Sequence, residues 1–498
     1  MADIDEVDTP TPALSPPLHN TASPRDQEPE TLEKIQKWQE ERMARKLRGE
    51  YQSAVLHLSD VIQQNLSTSM DIASVRVEGA KATRSSFLAS IINPVLSSRA
   101  PEVPSNLQSV LHTTRHISHL LQKTDIFQSV DARLERSQDE LSPAGSVDLV
   151  FKTREKGRFY LNTATELGNN EGNASATGRI RNLFGGAETL EANVTFGTKT
   201  RRAFRASLAA PLSSDLDTHG ELQAYGTEQD QRSWASSVLG VRGVKGMVRR
   251  GDISRGGAHE FAYEAVLRHI GDLTPEASIS MREAAGKTLK SSISHTYVFD
   301  TRDDRYMATR GAYFKSFAEY AGIGGGDAKH AKAEVEAQAS RPLMEGVSVS
   351  LAARSGFLLG LGGRPTLFAD RFQLGGPTSV RAFKANGLGP MDGPDSLGGD
   401  LHWSTGASLI ADVPTKPTWP VKLHAWVNAG RLDALDQSEP LVTAVRRTLT
   451  APSVSAGVGL IYRFDPVRVE VNFGVPLVKS ASDQARRGVQ VGMGLEFL

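Results

Sequence analysis

The stretch "VRVEVNF", Val467 to Phe473, alternates without a break. Val467, Val469, Val471 and Phe473 fall on one side of an extended chain, and Arg468, Glu470 and Asn472 fall on the other. "GVQVGMGLEF", Gly488 to Phe497, repeats the pattern, with Val489, Val491, Met493, Leu495 and Phe497 opposite Gln490, Gly492, Gly494 and Glu496. "AKAEVEAQA", Ala331 to Ala339, does the same with smaller apolar residues. One face of such strands calls for hydrocarbon and the other for water. From Gly157 to Leu498 no helical period interrupts the pattern, and Gly, Asp, Asn and Pro divide it into about sixteen short segments.

A soluble sandwich and a membrane barrel both alternate in this way. Three features favour the barrel: over three hundred residues of strand pattern without covering helices, charge on the alternate face of many strands, and segment lengths near the roughly 9 to 11 residues that cross a bilayer when tilted. A closed barrel pairs every backbone group and leaves no edge, as hydrocarbon demands. The expected fold is therefore a transmembrane β-barrel of about 16 antiparallel strands over residues 157–498. Strand boundaries are least distinct at Val238 to Asp252 and in a long Gly- and Pro-rich connection at about 370–400.

Upstream, residues 1–30 are acidic and Pro-rich, a composition that does not repay chain ordering, and are expected to be disordered. Residues 31–69 read as an exposed helix laced with opposite charges three or four apart. Residues 70–156 mix both periods in the order β-α-α-β-β, enough for a small sheet covered by two helices. The start has neither the basic-then-apolar pattern of a secretory signal nor an Arg-rich presequence, so export and cleaved import are both disfavoured. No window holds the roughly 18 apolar residues of a spanning helix. Phe87 to Leu96 comes nearest and is broken by Ser90, Asn93 and Pro94.

Lys plus Arg, 57, equal Asp plus Glu, 57, so charge points to no nucleic-acid partner. Without cysteine the chain can hold neither disulfides nor thiolate metal sites. His112, His116 and His119 sit at helical spacing without carboxylate company and read as a solvated face. "GIGGGD", Gly322 to Asp327, lacks the context of a phosphate loop and reads as a hairpin connection. "DTRDD", Asp300 to Asp304, reads as a turn network around Asp300, Arg302 and Asp303 rather than a calcium or acid-base site. No nucleophile elbow or triad signature is present, so no catalytic residue, metal or cofactor is expected and the chain reads as a non-enzyme.

The β-α-α-β-β order, with "VEGAKATRSSFL" and "TDIFQSVDARL", resembles a POTRA domain, the polypeptide-handling module that precedes the barrel in outer-membrane assembly factors. "VFDTRDDRYMATRGAYFKSFAEYAG" (Val298 to Gly322), "RFQLGGPTSVRAF" (Arg371 to Phe383), "LGGDLHWSTGASL" (Leu397 to Leu409) and "HAWVNAG" (His424 to Gly430) occur in the order seen in the BamA-like assembly-factor superfamily. With one POTRA-like segment and the "RIRNLFGGAETLEANVTFGT" block (Arg179 to Thr198), the chain resembles the barrel subunits of the mitochondrial sorting and assembly machinery, the SAM complex, in a fungal form.

That resemblance implies an insertase for β-barrel precursors in the mitochondrial outer membrane, with the N-terminus and POTRA domain in the intermembrane space. It implies a loop motif of Gly375, Gly376, Val380, Arg381, Ala382 and Phe383 that folds back into the lumen. Asn428, Arg468, Glu470 and Glu496 lie in the right strands to meet its arginine, the acidic ones preferred. The sequence departs from the family at Ala382, where glycine is usual, and at Asn428, where bacterial relatives carry aspartate. A lateral seam is expected between the first strand, with Phe159, Leu161, Thr163 and Thr165, and the last, with Gln490, Gly492, Gly494, Leu495 and Phe497. Gln490, Gly492, Leu495 and Phe497 also fit the β-signal of mitochondrial barrel proteins. The partners implied are peripheral SAM-complex subunits on the cytosolic side, β-barrel precursors of porin and translocase-channel type, intermembrane-space chaperones and membrane lipid. A protein-translocating pore of the two-partner secretion or chloroplast import type, and a passive metabolite porin, are the alternatives.

Overall fold

A computed structural model describes residues 32–47, 59–97, 105–137, 143, 145–168, 171–214, 216–414, 416, 419–436, 439–464 and 467–494. The tail at 1–30, and Leu495, Glu496 and Phe497, lie outside them. The chain divides into two compact units, Met1–Lys156 and Gly157–Leu498.

In the first unit a helix, α1 (Leu32–Leu47), precedes a three-stranded sheet, and its described side chains are largely exposed. The order is β1 (Asp71–Glu78), α2 (Ser85–Ser97), α3 (Leu107–Lys123), β2 (Phe127–Arg136) and β3 (Ser146–Glu155). β3 is central, parallel to β1 and antiparallel to β2. Asn106 starts α3 with a reciprocal cap: its side chain accepts from Ser109 N–H at 2.9 Å while Ser109 Oγ accepts from Asn106 N–H at 3.2 Å. Val110, Ile117 and Leu121 on α3 are buried, as are Leu149, Val150 and Phe151 on β3. His112, His116 and His119 occupy the exposed face of α3, as their spacing suggested.

The second unit is one antiparallel sheet of 16 strands. Its first half comprises β4 (Phe159–Gly168), β5 (Glu171–Arg181), β6 (Thr189–Gly197), β7 (Thr200–Pro211), β8 (Thr218–Asp230), β9 (Val238–Asp252), β10 (Gly257–Gly271) and β11 (Gly286–Asp300). β12 (Gly311–Ala321), β13 (His330–Met344) and β14 (Val347–Gly360) follow. A forty-residue connection, 361–400, carries the small hairpin β15 (Met391–Asp392) and β16 (Asp395–Ser396). The wall then resumes with β17 (Leu401–Asp412), beside β14, and continues through β18 (Val421–Asp433), β19 (Ser453–Phe464), β20 (Val467–Val478) and β21 (Gly488–Gly494). Each wall strand pairs with its neighbour, and the sheet curls until β4 and β21 lie close to each other. Among the described residues no ladder joins those two strands, so the barrel is unclosed.

The stretch that alternates most clearly in sequence is inside-out in structure. Val471 and Phe473 are exposed, while Glu470 and Asn472 are fully buried against the lumen. Val489 and Val491 face outward, and Gln490 inward. Phe159 and Leu161 stand more than three-quarters exposed on the outer face of β4. Apolar side chains directed outward over sixteen strands suit a hydrocarbon solvent and would leave a soluble protein with a large unpartnered patch.

An Arg at 471 therefore meets lipid, whereas Leu there changes only shape. Val471→Arg should destabilise the assembled barrel by about 2–4 kcal/mol, with Val471→Leu near wild type. The readout is midpoint unfolding of the heat-modifiable folded band in lipid bilayers; equal stability of the two variants would refute the outward assignment.

Candidate functional site

The 361–400 connection turns inward because it carries its own apolar core. Phe372, Leu374, Val380, Phe383 and Leu388 pack on Leu358 and Leu432 of the wall, a dry cluster inside a polar lumen. Gly375 and Gly376 both hold φ above +100°, where a side chain is strained, and a Cβ on Gly375 would stand 2.9 Å from the Lys384 carbonyl oxygen. Isolated antiparallel bridges join Phe372 to Gly399 and Leu374 to Leu388, so backbone groups as well as side chains fix the loop.

That core presents Arg381, which has no exposed surface. Its Nε and Nη2 donate to Glu470 Oε2 at 3.1 and 2.9 Å, and its Nη1 donates to Asn428 Oδ1 at 3.1 Å. The guanidinium lies over the Trp426 ring, 5.4 Å from its centre. Ser455 Oγ donates to the Arg381 carbonyl at 2.6 Å. β18, β19 and β20 thus each supply one side of the pocket. Of the four side chains anticipated for the arginine, Glu470 and Asn428 are its acceptors. Arg468 is corrected: it is itself a donor and pairs with the other oxygen of Glu470. Glu496 lies outside the described residues. Asn428 replaces only half of a charged bridge, since Glu470 on the neighbouring wall supplies the carboxylate.

Glu470 is the hub. Asn472 Nδ2 donates to it at 2.7 Å, and Asn472 in turn accepts from Trp426 Nε1 at 3.0 Å. Arg468 reaches on to the Tyr306 carbonyl at 2.9 Å. This ties the loop arginine to the turn motif between β11 and β12. There Arg302 clasps Asp300 through Nε and Nη2 at 2.9 and 2.8 Å and lies over Tyr313. Asp303 accepts the backbone N–H groups of Asp304, Thr309 and Arg310 at 3.0, 3.0 and 3.1 Å. Burial opposes ionisation of Asp303, but these bonds and the Thr309 hydroxyl outweigh it and hold its carboxyl below the usual carboxylate range. The turn's tip is anchored inside the barrel, where Met307 packs on Ile410 and Ile461.

Gln490, expected in the last strand as part of a targeting signal, also clamps the loop. Its Oε1 accepts from Ala382 N–H at 2.8 Å and its Nε2 donates to the Phe383 carbonyl at 2.9 Å. The residues before β21 extend the clamp: Arg486 N–H donates to the Ala382 carbonyl at 2.8 Å, and Lys384 N–H to the Gln484 carbonyl at 2.9 Å. Inward parity, opposite Asn472 in the ladder, was the signal in the sequence for this role. Gly492 pairs with Glu470 and Gly494 with Arg468. A second anchor had no such signal. Arg268 Nη1 meets Asp370 Oδ1 at 2.5 Å where the loop enters the lumen, both groups being buried. Lys332 donates to the Asp370 carbonyl at 3.2 Å. On β4, Phe159, Leu161, Thr163 and Thr165 share the exposed outer face at the unpaired edge.

Removing Glu470 would strand two buried guanidiniums. Glu470→Ala should cost about 3–5 kcal/mol in unfolding free energy, more than Asn428→Ala, which removes one acceptor of one arginine. Denaturant titration of the reconstituted chain gives both numbers; a smaller loss for Glu470→Ala than for Asn428→Ala would overturn its place at the hub.

Residues 182–497 match the Omp85 superfamily domain. A SAM50-like protein of Schizosaccharomyces pombe is 33% identical over 89% of this chain and 94% of its own. Sorting and assembly machinery component 50 homolog B of Xenopus laevis is 31% identical over 88% of this chain and 93% of its own. The human homolog is 29% identical over 90% and 93%. Among solved structures, Haemophilus ducreyi BamA lacking POTRA domains 1–3 shares the fold with a TM-score of 0.69, at 16% identity over 85% of this chain and 84% of that one. The chain belongs to the Omp85 superfamily and, within it, to the sorting and assembly machinery component 50 homologs.

Proposed function

We propose that this assembly factor inserts β-barrel precursors into the mitochondrial outer membrane by lending them a strand edge at the gap between β4 and β21. The unclosed seam carries the reading. A precursor strand in hydrocarbon holds unsatisfied N–H and C=O groups, each costing several kcal/mol, so unaided insertion is obstructed. The free edge of β4 offers a ready ladder of partners to the precursor's terminal β-signal strand. On the other side of the seam, β21 is held by its ladder to β20, with Gly492 opposite Glu470 and Gly494 opposite Arg468. These two glycines lighten that hold, since strand glycines pack no side chain. The reaction is an exchange of backbone hydrogen bonds, with no covalent step and no catalytic residue.

In this reading the arginine loop sets the position of the seam. Its clamp on Gln490 and on residues 484–486 holds the last hairpin from the lumen side, so β21 has a fixed inner reference while its outer edge is open. The loop core and the inward-anchored 301–310 turn both occupy the lumen, which tells against a passive metabolite porin. The N-terminal β-α-α-β-β unit acts as a POTRA-type module in the intermembrane space, receiving precursors from chaperones there, and peripheral subunits of the machinery bind on the cytosolic side.

The chain has no cysteine, so a single introduced thiol reports cleanly. Thr163→Cys in the otherwise intact chain should form a disulfide with a cysteine in the last strand of a porin precursor arrested during import, and scrambling that strand's β-signal should abolish it. Thr195 of β6 lies on the lumenal face, between the outward Val194 and Phe196; if the same precursor crosslinks to Thr195→Cys and never to Thr163→Cys, lateral pairing is wrong and threading takes its place.

A further inference from the structure

The outer wall over β9 to β14 holds a feature that assembly at the seam does not use. Facing outward, Ala318, Ala331 and Ala333 form a low floor, and Phe261, Tyr263 and Tyr320 rise beside it. The result is an open apolar groove of about 730 Å³. It crosses the middle of the sixteen-stranded sheet, far along the wall from both β4 and β21.

At one end the apolar character stops abruptly. His259 lies directly opposite Arg250 on β9 and opposite Tyr297 on β11, and His295 lies opposite Phe261. Register partners share a face, so Arg250, both histidines and Tyr297 all belong to the outer wall. His259 Nδ1 and His295 Nε2 are 3.1 Å apart and hydrogen-bonded, with Tyr297 packed on the His259 ring at 4.7 Å. Each imidazole brings at least one N–H, and one is used between the two rings, so at least one remains for an outside acceptor. Arg250 is exposed and has no ion-pair partner among the described residues, whereas the adjacent Arg249 is paired with Glu260 at 2.9 Å. A guanidinium and an imidazole pair beside an apolar groove complement a ligand with an anionic head and a hydrocarbon body. Their place at strand ends, among aromatic rings, is the height of the headgroup layer.

We propose that this wall carries a binding site for an anionic glycerophospholipid. Its phosphate is held by Arg250 and the His259–His295 pair, and one acyl chain lies in the groove over Ala318, Ala331 and Ala333. Guanidinium suits the phosphate because it donates in a planar fork. The inference rests on the membrane-barrel reading and goes beyond it, since it concerns one lipid at one place on the wall.

The test uses the full chain in nanodiscs of phosphatidylcholine doped with a trace of photoactivatable phosphatidic acid or, in parallel, photoactivatable phosphatidylcholine, each with its diazirine on the acyl chain. Phosphatidic acid should label peptides covering β12 and β13 several-fold more than phosphatidylcholine does. Arg250→Ala combined with His259→Ala should remove the excess while phosphatidylcholine labelling is unchanged. Ala331→Phe, which fills the groove and leaves the cationic end intact, should lower labelling of those peptides by phosphatidic acid and keeps the test open if the double variant fails to fold. Equal labelling by the two lipids, or an excess that survives both variants, overturns the site. Absence of labelling by either lipid anywhere on the outer wall would instead sink the membrane reading beneath it.

Discussion

The buried bond between Arg381 and Glu470 is the contact on which the interior of this barrel depends. Neither group has exposed surface, and a guanidinium without a carboxylate in such a place is intolerable. The partners come from a loop and a wall strand 89 residues apart, so the bond can form only when β18 to β20 are already in register and the loop has turned inward. Its second carboxylate oxygen is taken by Arg468, which reaches the 301–310 turn. One carboxylate thus joins the loop, the inner wall and the opposite turn. The arrangement inverts a soluble core: polarity is buried and hydrocarbon-like side chains are outside, so electrostatic pairing does inside the lumen what apolar packing does elsewhere.

The seam follows from the same asymmetry. Wall strands in the middle of the sheet are held by ladders on both sides, while β4 and β21 each keep one edge without a ladder among the described residues. Among the described residues, what secures β21 is lateral and lumenal: its ladder to β20, the Gln490 amide, and the backbone pairing of residues 484–486 with the loop. These are polar contacts to a preformed frame. They hold the strand in place while its outer edge carries no ladder among the described residues, a combination that the proposed strand exchange needs and a porin does not.

Much of this was legible in the sequence, and the physical reason is parity. A period of two fixes which residues face each other once strands pair, so Glu470, Asn472 and Gln490 could be assigned to the lumen and Val471 to the outside from the pattern alone. The region from Val238 to Asp252 read ambiguously because Gly240, Gly243 and Gly246 erase the alternation, yet it forms one continuous fifteen-residue strand. The arginine loop stood out as a Gly- and Pro-rich interruption. The turn motif, read as a local network around Asp300 and Arg302, is also that, but its link to Arg381 through Arg468 spans 162 residues and has no local trace. The same is true of Arg268 and Asp370, 102 residues apart. Pattern gives the face of a residue; only the folded geometry gives its partner.

Ala382 shows how far one such geometry can absorb a departure from the family. It sits at φ +63°, a left-handed conformation costing an alanine roughly 1–2 kcal/mol relative to glycine. The conformation is fixed from both sides, since its N–H is held by Gln490 and its carbonyl by Arg486. Its methyl group faces Gly474 on β20, where an added Cβ would come within 3.1 Å of it and within 2.8 Å of Trp426. Gly474 leaves the space in which the Ala382 methyl group sits, and the arginine beside it keeps its place on Glu470.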